Sequence, residues 1–298
     1  MSSLISIVMP TYNREYEIKI AINSVINQSY KNWELIIVDN YSDDKTEELI
    51  KSFNNKKIFY YKIKNNGIIA KSRNYGIRKS KGKIISFLDS DDWWKFNKLE
   101  LAMQYINNGY EFTYHRKYVV KSRHTNYNFI KTFAYSSSGS MFYNLLQKGN
   151  CIPNSSVTLH KYLLENINGF DESPEVAGSE DFDGWLRISK ISNNFVNIPK
   201  TLGYYWTGGD CYSSDDKMLR NLDYIEKKHQ LKLLEPNNYA SFDYTRARIF
   251  QNKKNFKQSK FFFKKIFFKR SSIRILIQSL LMIFYLNLII IYKSRNNK

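Results

Sequence analysis

The sequence predicts an α/β protein with a mostly parallel sheet, helices on both faces of that sheet, and a basic helical C-terminal region. Three observations support this fold class. Short apolar runs alternate with segments of helical periodicity over residues 4–88, and polar or acidic clusters follow three of those runs. Positive charge is concentrated in residues 244–298. At 298 residues the chain is long enough to bury a large core.

Four short runs in the first third of the chain have the composition of buried strands. They are residues 4–9, 33–38, 57–62 and 83–88. The intervening segments have helical character and comprise residues 15–27, 46–53 and 68–79. Strands that alternate with helices in this way predict a parallel sheet covered on both faces.

The polar clusters at residues 10–13, 39–44 and 89–92 each come directly after a predicted strand. The carboxyl ends of parallel strands meet at one edge of a sheet, where ligands bind. We therefore expect the three clusters to lie together and to form a binding site.

The rest of the chain is less regular. A strand is predicted near residues 155–160, with helices at 163–167, 180–190, 217–234 and 241–268. Residues 136–140 (SSSGS) and Gly208-Gly209 have loop composition, and the second loop could close over a bound ligand.

Charge separates the C-terminal region from the rest of the chain. Net charge is +19, and residues 244–298 hold 14 Lys or Arg and no Asp or Glu, which leaves about +5 on the first 243 residues. Such a basic region favours an anionic partner, either a membrane surface or nucleic acid.

The same region contains a long apolar run. Residues 275–292 are nearly continuous in apolar side chains, and residues 259–270 interleave aromatic residues with Lys and Arg. An interfacial helix is favoured over a span, because the run is at the lower length limit and contains Gln278, Ser279 and Asn287. A core helix of the C-terminal region is the alternative.

Cysteine usage and the N-terminus point to a reducing compartment. Cys151 and Cys211 have neither metal-ligand nor disulfide-framework spacing, and residues 1–10 lack the pattern of a secretory signal. These features predict a cytoplasmic protein that is peripheral on, or anchored to, the inner face of the cytoplasmic membrane.

The sharpest local signal for chemistry is the pair Asp89-x-Asp91, followed by Asp92. Carboxylates clustered after a buried strand repel one another unless a cation holds them. Mg²⁺ and Mn²⁺ prefer such oxygen ligands, often together with substrate phosphates. A helix N-cap is the alternative, since Asp is favoured there too.

The chain also carries an ordered set of motifs. They are VMPTYNR at residues 8–14, IIVDNYSDD at 36–44, NG at 66–67 with AKSRNYG at 70–76, SFLDSDD at 86–92, NGFDE at 168–172 and EDFDGWLR at 180–187. This set, over about residues 4–210, resembles glycosyltransferase family 2 with its GT-A fold. The resemblance implies an inverting transferase that uses a nucleotide sugar and Mn²⁺ or Mg²⁺.

The resemblance also implies roles for individual residues. Donor binding would fall to seven of them: Pro10, Thr11, Tyr12, Asp39, Arg73, Asp89 and Ser90. Asp39 would accept a hydrogen bond from the base, and Asp91 with Asp89 would bind the metal. Asp181 would be the general base, with Glu180 supporting it. For Asp39, Arg73 and Glu180-Asp181, the alternatives are a turn residue, a solvated helix charge and a helix-start pair.

Two departures from the family pattern stand out. Asn40 and Tyr41 stand where the family more often has Asp and Gly, which puts the geometry of that loop in question. No His occurs near residues 204–212, where some relatives use one as a metal ligand. His115, His124, His160 and His229 match no motif.

Other classes fit the sequence less well. Neither a dinucleotide-binding G-x-G-x-x-G nor a P-loop follows the first strand, where the sequence is PTYNRE. Nucleic acid as a partner would leave the acidic cluster at 89–92 unexplained, and a non-catalytic membrane adaptor is the remaining alternative.

We expect a catalytic domain at residues 1–215 and a membrane-associating helical region at 216–298. The expected partners are a UDP-sugar donor, a lipid-linked or oligosaccharide acceptor and a membrane surface, and no nucleic acid.

Overall fold

The computed structural model describes residues 2–121, 139–208, 214–233, 240–269, 271 and 273–296. The chain forms two compact units, Met1–Ser138 with Cys151–Tyr212 and Gly139–Asn150 with Ser213–Lys298. The division expected at residue 215 remains a prediction. Residues 136–138, Gly209 and Cys211, named above as loop or cysteine features, lie outside the described residues.

The first unit contains one mixed sheet flanked by helices. Its strands are β1 (Ile5–Thr11), β2 (Trp33–Asp39), β3 (Ile58–Lys62), β4 (Ile84–Phe87), β5 (Trp93–Trp94), β6 (Phe112–Val120), β7 (Thr158–His160) and β8 (Phe195–Trp206). Its helices are α1 (Ile18–Ile26), α2 (Thr46–Ser52), α3 (Ile69–Lys79), α4 (Lys98–Asn107), α6 (Lys161–Asn166) and α7 (Glu180–Ile191). Helix α5 (Met141–Lys148) belongs to the second unit.

The sheet order is β3-β2-β1-β4-β7-β6-β8-β5. Strands β1 to β4 pair in parallel, as the alternation of strands and helices predicted, with Thr11 opposite Asp39 at the carboxyl ends of β1 and β2. Strand β7 is antiparallel to both β4 and β6, while β8 pairs in parallel with β6 and antiparallel with β5. The sheet is therefore parallel in its first half and mixed in its second.

Apolar side chains on both faces of β1 hold the first unit together. Ile5, Ile7 and Met9 share a buried cluster with residues of α1, β2 and α4. On the opposite face, Val8 lies under Gly76 of α3, where an added Cβ would come within 2.5 Å of a Val8 methyl carbon. Glycine at 76 thus allows α3 to pack closely on the sheet, which fixes the position of the side chains that α3 carries.

The second unit is helical. It contains α5, α8 (Asp215–Lys228), α9 (Ala240–Asn252), α10 (Phe256–Ile266) and α11 (Ile273–Asn296). The single helix predicted over 241–268 was wrong. Lys254 adopts a φ of +57°, which ends one helix, and the Asn255 side chain accepts the Gln258 N–H, which begins the next.

A small core joins α9, α10 and α11. Ala240, Ala247, Phe263, Ile266 and Leu286 are buried there, with further apolar side chains around them. Among the described residues, no helix has both the length and the apolar character needed to cross a membrane.

Candidate active site

The three polar clusters after β1, β2 and β4 meet at one edge of the sheet, as expected. The Asn13 N–H donates to Ser42 Oγ at 2.9 Å, and the Asp43 N–H donates to Asn13 Oδ1 at 3.1 Å. Arg14 reaches the third cluster, with its guanidinium 3.6 Å from the Asp91 carboxylate. Parallel pairing of neighbouring strands produces this meeting, because it places all three strand ends on the same side.

The first cluster combines buried and exposed groups. Pro10 and Thr11 are buried at the end of β1, whereas Tyr12 is exposed. The Thr11 hydroxyl is buried without a hydrogen-bond partner among the described residues. An unsatisfied buried hydroxyl costs free energy, so this atom is suited to bind a polar ligand group.

Asp39 is fully buried at the end of β2. Its Oδ1 accepts from the backbone and hydroxyl of Ser42, at 3.0 and 2.6 Å, and its Oδ2 accepts from the Tyr60 hydroxyl at 2.6 Å. Burial and the Asp39 charge both raise the pKa of Tyr60 above its usual value, so this phenol remains a donor at neutral pH. Sequence patterns gave no indication of Tyr60, because it lies on a different strand.

The loop after Asp39 passes through a left-handed backbone conformation at Tyr41. Tyr41 has a φ of +57°, in the left-handed region where Gly is most often found. Tyr41 adopts this conformation although it carries a side chain, at a local steric cost. Its ring is half exposed, and the ammonium groups of Lys62 and Lys64 lie 5.6 and 5.9 Å from the ring centre.

Arg73 connects two acidic motifs that are far apart in sequence. Its guanidinium bonds to Asp89 Oδ1 at 2.7 Å and to Glu180 Oε1 at the start of α7. Only 4% of Arg73 is exposed, so it is not a solvated helix charge. Burial opposes its charged form, but Asp89, Glu180 and Asp181 outweigh burial and raise the pKa of Arg73.

The residue after Arg73 fixes the turn that precedes α7. The Asn74 side chain donates to the Phe170 carbonyl and accepts the Phe170 N–H, both at 2.8 Å, and also donates to Glu172 at 2.9 Å. Gly169 lies against this amide with a φ of +75°, and an added Cβ there would be 2.6 Å from Asn74 Oδ1. Helix α3 therefore holds two segments in place beside the sheet: Asn74 binds the turn at Phe170, and Arg73 binds Glu180 at the start of α7.

The three carboxylates after β4 have different surroundings. Asp89 accepts from Asn154 and Ser155, each at 3.2 Å, in addition to Arg73. Asp92 is buried, with its Oδ2 2.5 Å from the Lys117 ammonium and its Oδ1 accepting the Trp206 N–H at 3.2 Å. Asp91 is partly exposed and faces Arg14 at 3.6 Å. Ser90 between them is buried.

These surroundings give the carboxyl groups different pKa values. Burial would raise the pKa of Asp89, but Arg73 holds it below the usual range. Burial, and then the charges of Asp92 and Asp89, raise the pKa of Asp91 to about 7. Burial also outweighs the Lys117 charge and raises the pKa of Asp92. Asp91 is partly exposed, and its cation, Arg14 at 3.6 Å, lies farther away than Arg73 does from Asp89 or Lys117 from Asp92, which leaves Asp91 suited to a cation ligand.

The donor set fits a divalent cation only in part. Asp89 and Asp91 supply the hard oxygen atoms that Mg²⁺ and Mn²⁺ prefer. In the part of the chain that the structure describes, however, no group of three or more His, Cys, Asp or Glu side chains could hold a metal ion. Cations of this class commonly keep several positions for substrate phosphates, so two protein carboxylates suffice when a diphosphate completes the site.

Glu180 and Asp181 begin α7 but have different environments. Glu180 is buried and accepts from Arg73 and from the Gly178 N–H, the latter at 2.6 Å. Asp181 is half-buried, and its Oδ1 accepts the Phe182 N–H at 2.7 Å. Glu180 is therefore committed to a structural ion pair, and Asp181 is the more accessible acid of the two.

Comparison with known proteins identifies the class of enzyme to which this fold and site belong. The chain is an enzyme of the glycosyltransferase class. The model of Glycosyl transferase family 2 matches residues 6–164, more than half of the chain, and the protein belongs to that family.

One curated relative and two solved structures illustrate the similarity. The chain is 33% identical to the Escherichia coli UDP-Glc:alpha-D-GlcNAc-diphosphoundecaprenol beta-1,3-glucosyltransferase WfgD over 191 residues, which is 64% of this chain and 71% of WfgD. Its fold is similar to S. aureus TarS 1-349 (TM-score 0.65, 19% identity, 88% of this chain and 80% of TarS 1-349). It is also similar to the Pyrobaculum calidifontis mannosyltransferase PcManGT in complex with GDP-Man and Mn²⁺ (TM-score 0.56, 15% identity, 88% of this chain and 73% of PcManGT). The two structural likenesses support the GT-A fold.

Proposed function

We propose that the protein is an inverting glycosyltransferase that moves a hexose or N-acetylhexosamine from a UDP-sugar to a glycan acceptor carried on polyprenyl diphosphate. The observation that carries this proposal is the sheet edge where the carboxyl ends of β1, β2 and β4 meet. Arg73 connects this edge to the start of α7, because it pairs with both Asp89 and Glu180. That edge combines a buried unsatisfied hydroxyl, an under-compensated carboxylate and an accessible acid. Assembly of a surface polysaccharide, O-antigen, capsule or glycoprotein glycan is the process that this reaction would serve.

The donor would bind along the ends of the first two strands. Pro10, Thr11 and Tyr12 would line the nucleotide pocket, with the Thr11 hydroxyl gaining a partner that it lacks in the described residues. Asp39 would orient the base. A UDP donor is supported by the name of WfgD, and S. aureus TarS 1-349, similar in fold (TM-score 0.64), has been crystallised in complex with UDP-GlcNAc.

Asp91 and Asp89 would hold Mn²⁺ or Mg²⁺ against the diphosphate. A divalent cation at that place would stabilise the negative charge that develops on the departing diphosphate. Arg73 keeps Asp89 ionised and in position, and Ser90 would contact the donor from the same turn. The Mn²⁺ complex of PcManGT supports a metal in this fold.

Asp181 would act as the general base. A carboxylate in this role removes the proton from the acceptor hydroxyl as the hydroxyl attacks the anomeric carbon. Glu180 would position it, because its bonds to Arg73 and Gly178 fix the first turn of α7. Attack opposite the departing UDP inverts the anomeric centre, so an α-linked donor gives a β-linked product.

A lipid-linked acceptor would place the enzyme at a membrane. WfgD is named for an acceptor on diphosphoundecaprenol, and the present chain carries 14 Lys or Arg and no acidic residue after residue 243. We therefore propose that the protein works on the inner face of the cytoplasmic membrane.

The test is UDP release across a panel of nucleotide sugars, with Mn²⁺, Mg²⁺ or EDTA, for wild type, Asp91→Ala and Asp43→Ala. Asp43 is an exposed carboxylate on the same edge, and its substitution serves as the matched control. We expect one donor to be turned over with metal, with activity lost in EDTA and in Asp91→Ala and retained in Asp43→Ala. Turnover that survives both EDTA and Asp91→Ala would refute the metal assignment. Absence of both turnover and UDP binding in the wild type would refute the donor assignment.

A further inference from the structure

Helix α11 has two faces that differ in exposure. Ile275, Leu276, Met282, Ile283 and Leu286 pack into the core that α9, α10 and α11 share. The opposite face, called here the outer stripe, consists of six side chains that are each more than half exposed: Ile277, Leu280, Leu281, Phe284, Tyr285 and Leu288. Their spacing of three and four residues places them in one row along the helix.

Three polar side chains in the middle of α11, those of Gln278, Ser279 and Asn287, lie on the protein side and not on the outer stripe. Ser279 is fully buried and donates to the Ile275 carbonyl at 2.7 Å. Gln278 accepts from the Tyr244 hydroxyl at 3.1 Å, and Asn287 accepts from the Lys260 ammonium at 2.5 Å. A helix on the surface of a water-soluble protein has the reverse arrangement, with polar groups outward. A continuous apolar row of this kind marks an interaction surface.

The neighbouring helix α10 supplies positive charge. Its exposed positions include Lys257, Phe261, Lys264 and Lys265, followed by Phe268 just beyond the helix end. The Lys265 ammonium lies 5.3 Å from the centre of the Phe261 ring. The bond from Lys260 to Asn287 ties this helix to α11 within the same unit.

We propose that the outer stripe inserts into the surface of an anionic lipid bilayer, with the axis of α11 in the plane of the membrane and the α10 lysines against the headgroups. Packing of the opposite face in the protein core keeps α11 attached to α9 and α10 from Ile275 to Asn287, which suits a helix lying at the interface. Interfacial helices of this type bury an apolar face at the acyl boundary and gain affinity from anionic lipid. The inference deepens the membrane association in the proposed function, but it rests on the contacts of the second unit alone.

Charge favours lipid over a second copy of the chain as the occupant. Residues 244–298 carry no acidic side chain, so two copies joined through this surface would oppose like charges. Anionic headgroups complement the same lysines, and each basic residue near such a surface strengthens binding.

The first test is co-sedimentation of the full chain with vesicles of phosphatidylcholine alone or with phosphatidylglycerol, without donor or acceptor. The double variant Leu281→Glu/Phe284→Glu should bind the anionic vesicles on the order of 100-fold more weakly, because it removes two large apolar side chains from the bilayer contact. Ile20→Glu and Ile191→Glu, which place the same charge at exposed apolar positions of the first unit, should bind as the wild type does. Equal binding by the double variant would overturn the proposal.

A second variant distinguishes a loss of lipid contact from misfolding. Lys264→Gln/Lys265→Gln leaves every apolar contact in place and should weaken binding to anionic vesicles several-fold, with little effect on phosphatidylcholine alone. Full affinity of this variant for anionic vesicles would overturn the role of the lysines. A wild-type dimer that the double variant abolishes, without vesicle binding by the wild type, would assign the surface to a second copy instead.

The orientation has its own test. An environment-sensitive fluorophore on Leu280→Cys or Leu288→Cys reports depth, and the two positions are roughly 12 Å apart along the helix. Equal quenching by lipid-borne quenchers is expected for a helix in the membrane plane, whereas a graded depth would overturn that orientation. If the wild type releases UDP but does not bind vesicles as expected, the membrane surface is refuted and the transferase chemistry is not. If it binds vesicles as expected but neither releases nor binds UDP, the transferase chemistry is refuted and the membrane surface is not.

Discussion

The two compact units bury charged side chains for different purposes. In the first unit, Arg73 and Lys117 pair with Asp89, Glu180 and Asp92 at the edge where the strands end, and Asp91 beside them faces Arg14 at the longer distance of 3.6 Å. In the second unit, Arg246 pairs with Glu226 and Asp223 between helices, and exposed lysines give the surface an excess of positive charge.

The difference shows what each unit is suited to bind. An enclosed edge with more carboxylates than cations attracts a metal ion and, through it, a diphosphate. An exposed apolar surface with an excess of lysines attracts anionic lipid. The buried pairs in the first unit should therefore affect both stability and chemistry, whereas those in the second should affect stability alone.

The largest effect on stability is expected at Arg73. Arg73→Met would leave the carboxylates of Asp89 and Glu180 without their shared cation, and breaking a buried ion pair in this way costs about 3–5 kcal/mol. We expect that loss in the free energy of unfolding measured with denaturant, together with lower UDP affinity. Arg78→Met, on an exposed position of the same helix, should change stability by less than about 0.5 kcal/mol. Equal stability of the two variants would contradict the bridging role.

A smaller effect is expected in the second unit. Arg246→Met removes a buried guanidinium that bonds Glu226 at 2.6 and 2.9 Å and Asp223 at 2.7 Å. Because Asp223 is largely exposed and can be solvated, we expect a loss of only about 2–3 kcal/mol, below the full cost of a buried pair. UDP binding should be unchanged. A large loss of UDP affinity at constant folded fraction would contradict the expectation that this ion pair affects stability alone.

The third effect has the opposite sign. Lys98 is fully buried, and its ammonium contacts Ser86, Thr158 and the Trp94 ring. It pairs with no carboxylate of the residues that the structure describes. Burial lowers its pKa well below the usual value, so the folded state binds fewer protons than the unfolded chain, and stability rises with pH up to about 10.

Lys98→Met should therefore stabilise the protein by about 1–3 kcal/mol at pH 7, with a gain that shrinks as the pH approaches 10. The Ser86 and Thr158 hydroxyls, 2.9 Å apart, can then satisfy each other. Thermal unfolding between pH 6 and 10 measures this, with exposed Lys19→Met as the control. A destabilised Lys98→Met at every pH would show that the charged amine is stabilising.

The first four strands and the helices between them could be predicted from sequence, because apolar runs and helical spacing are local signals. Strand β7 lies within the strand predicted near residues 155–160, whereas β5, β6 and β8 were missed. Strand β5 has only two residues, and the pairing of all three depends on partners distant in sequence. The split between α9 and α10 was missed because it depends on one backbone angle at Lys254.

The candidate site was predictable in its acidic and strand-end residues, which follow strands or begin a helix. The contacts among the buried charged residues were not predictable. Arg73 was expected to bind the donor, but nothing in the sequence indicates its bond to Glu180, 107 residues away, or the bond from Lys117 to Asp92 across 25 residues. The Asn74 contact with Phe170, across 96 residues, is of the same kind. A cluster of carboxylates indicates that cations must lie close to it, but only the fold shows which basic side chains these are.

The most direct test of the proposed chemistry is the rate of sugar transfer by Asp181→Asn, measured beside its affinity for UDP. Loss of a general base lowers the rate by about 10²- to 10⁴-fold, and the isosteric amide should leave UDP affinity within about threefold of wild type. That combination would place Asp181 at the acceptor hydroxyl. Transfer at the wild-type rate would contradict the proposed mechanism, and the general base would have to be sought elsewhere on the sheet edge.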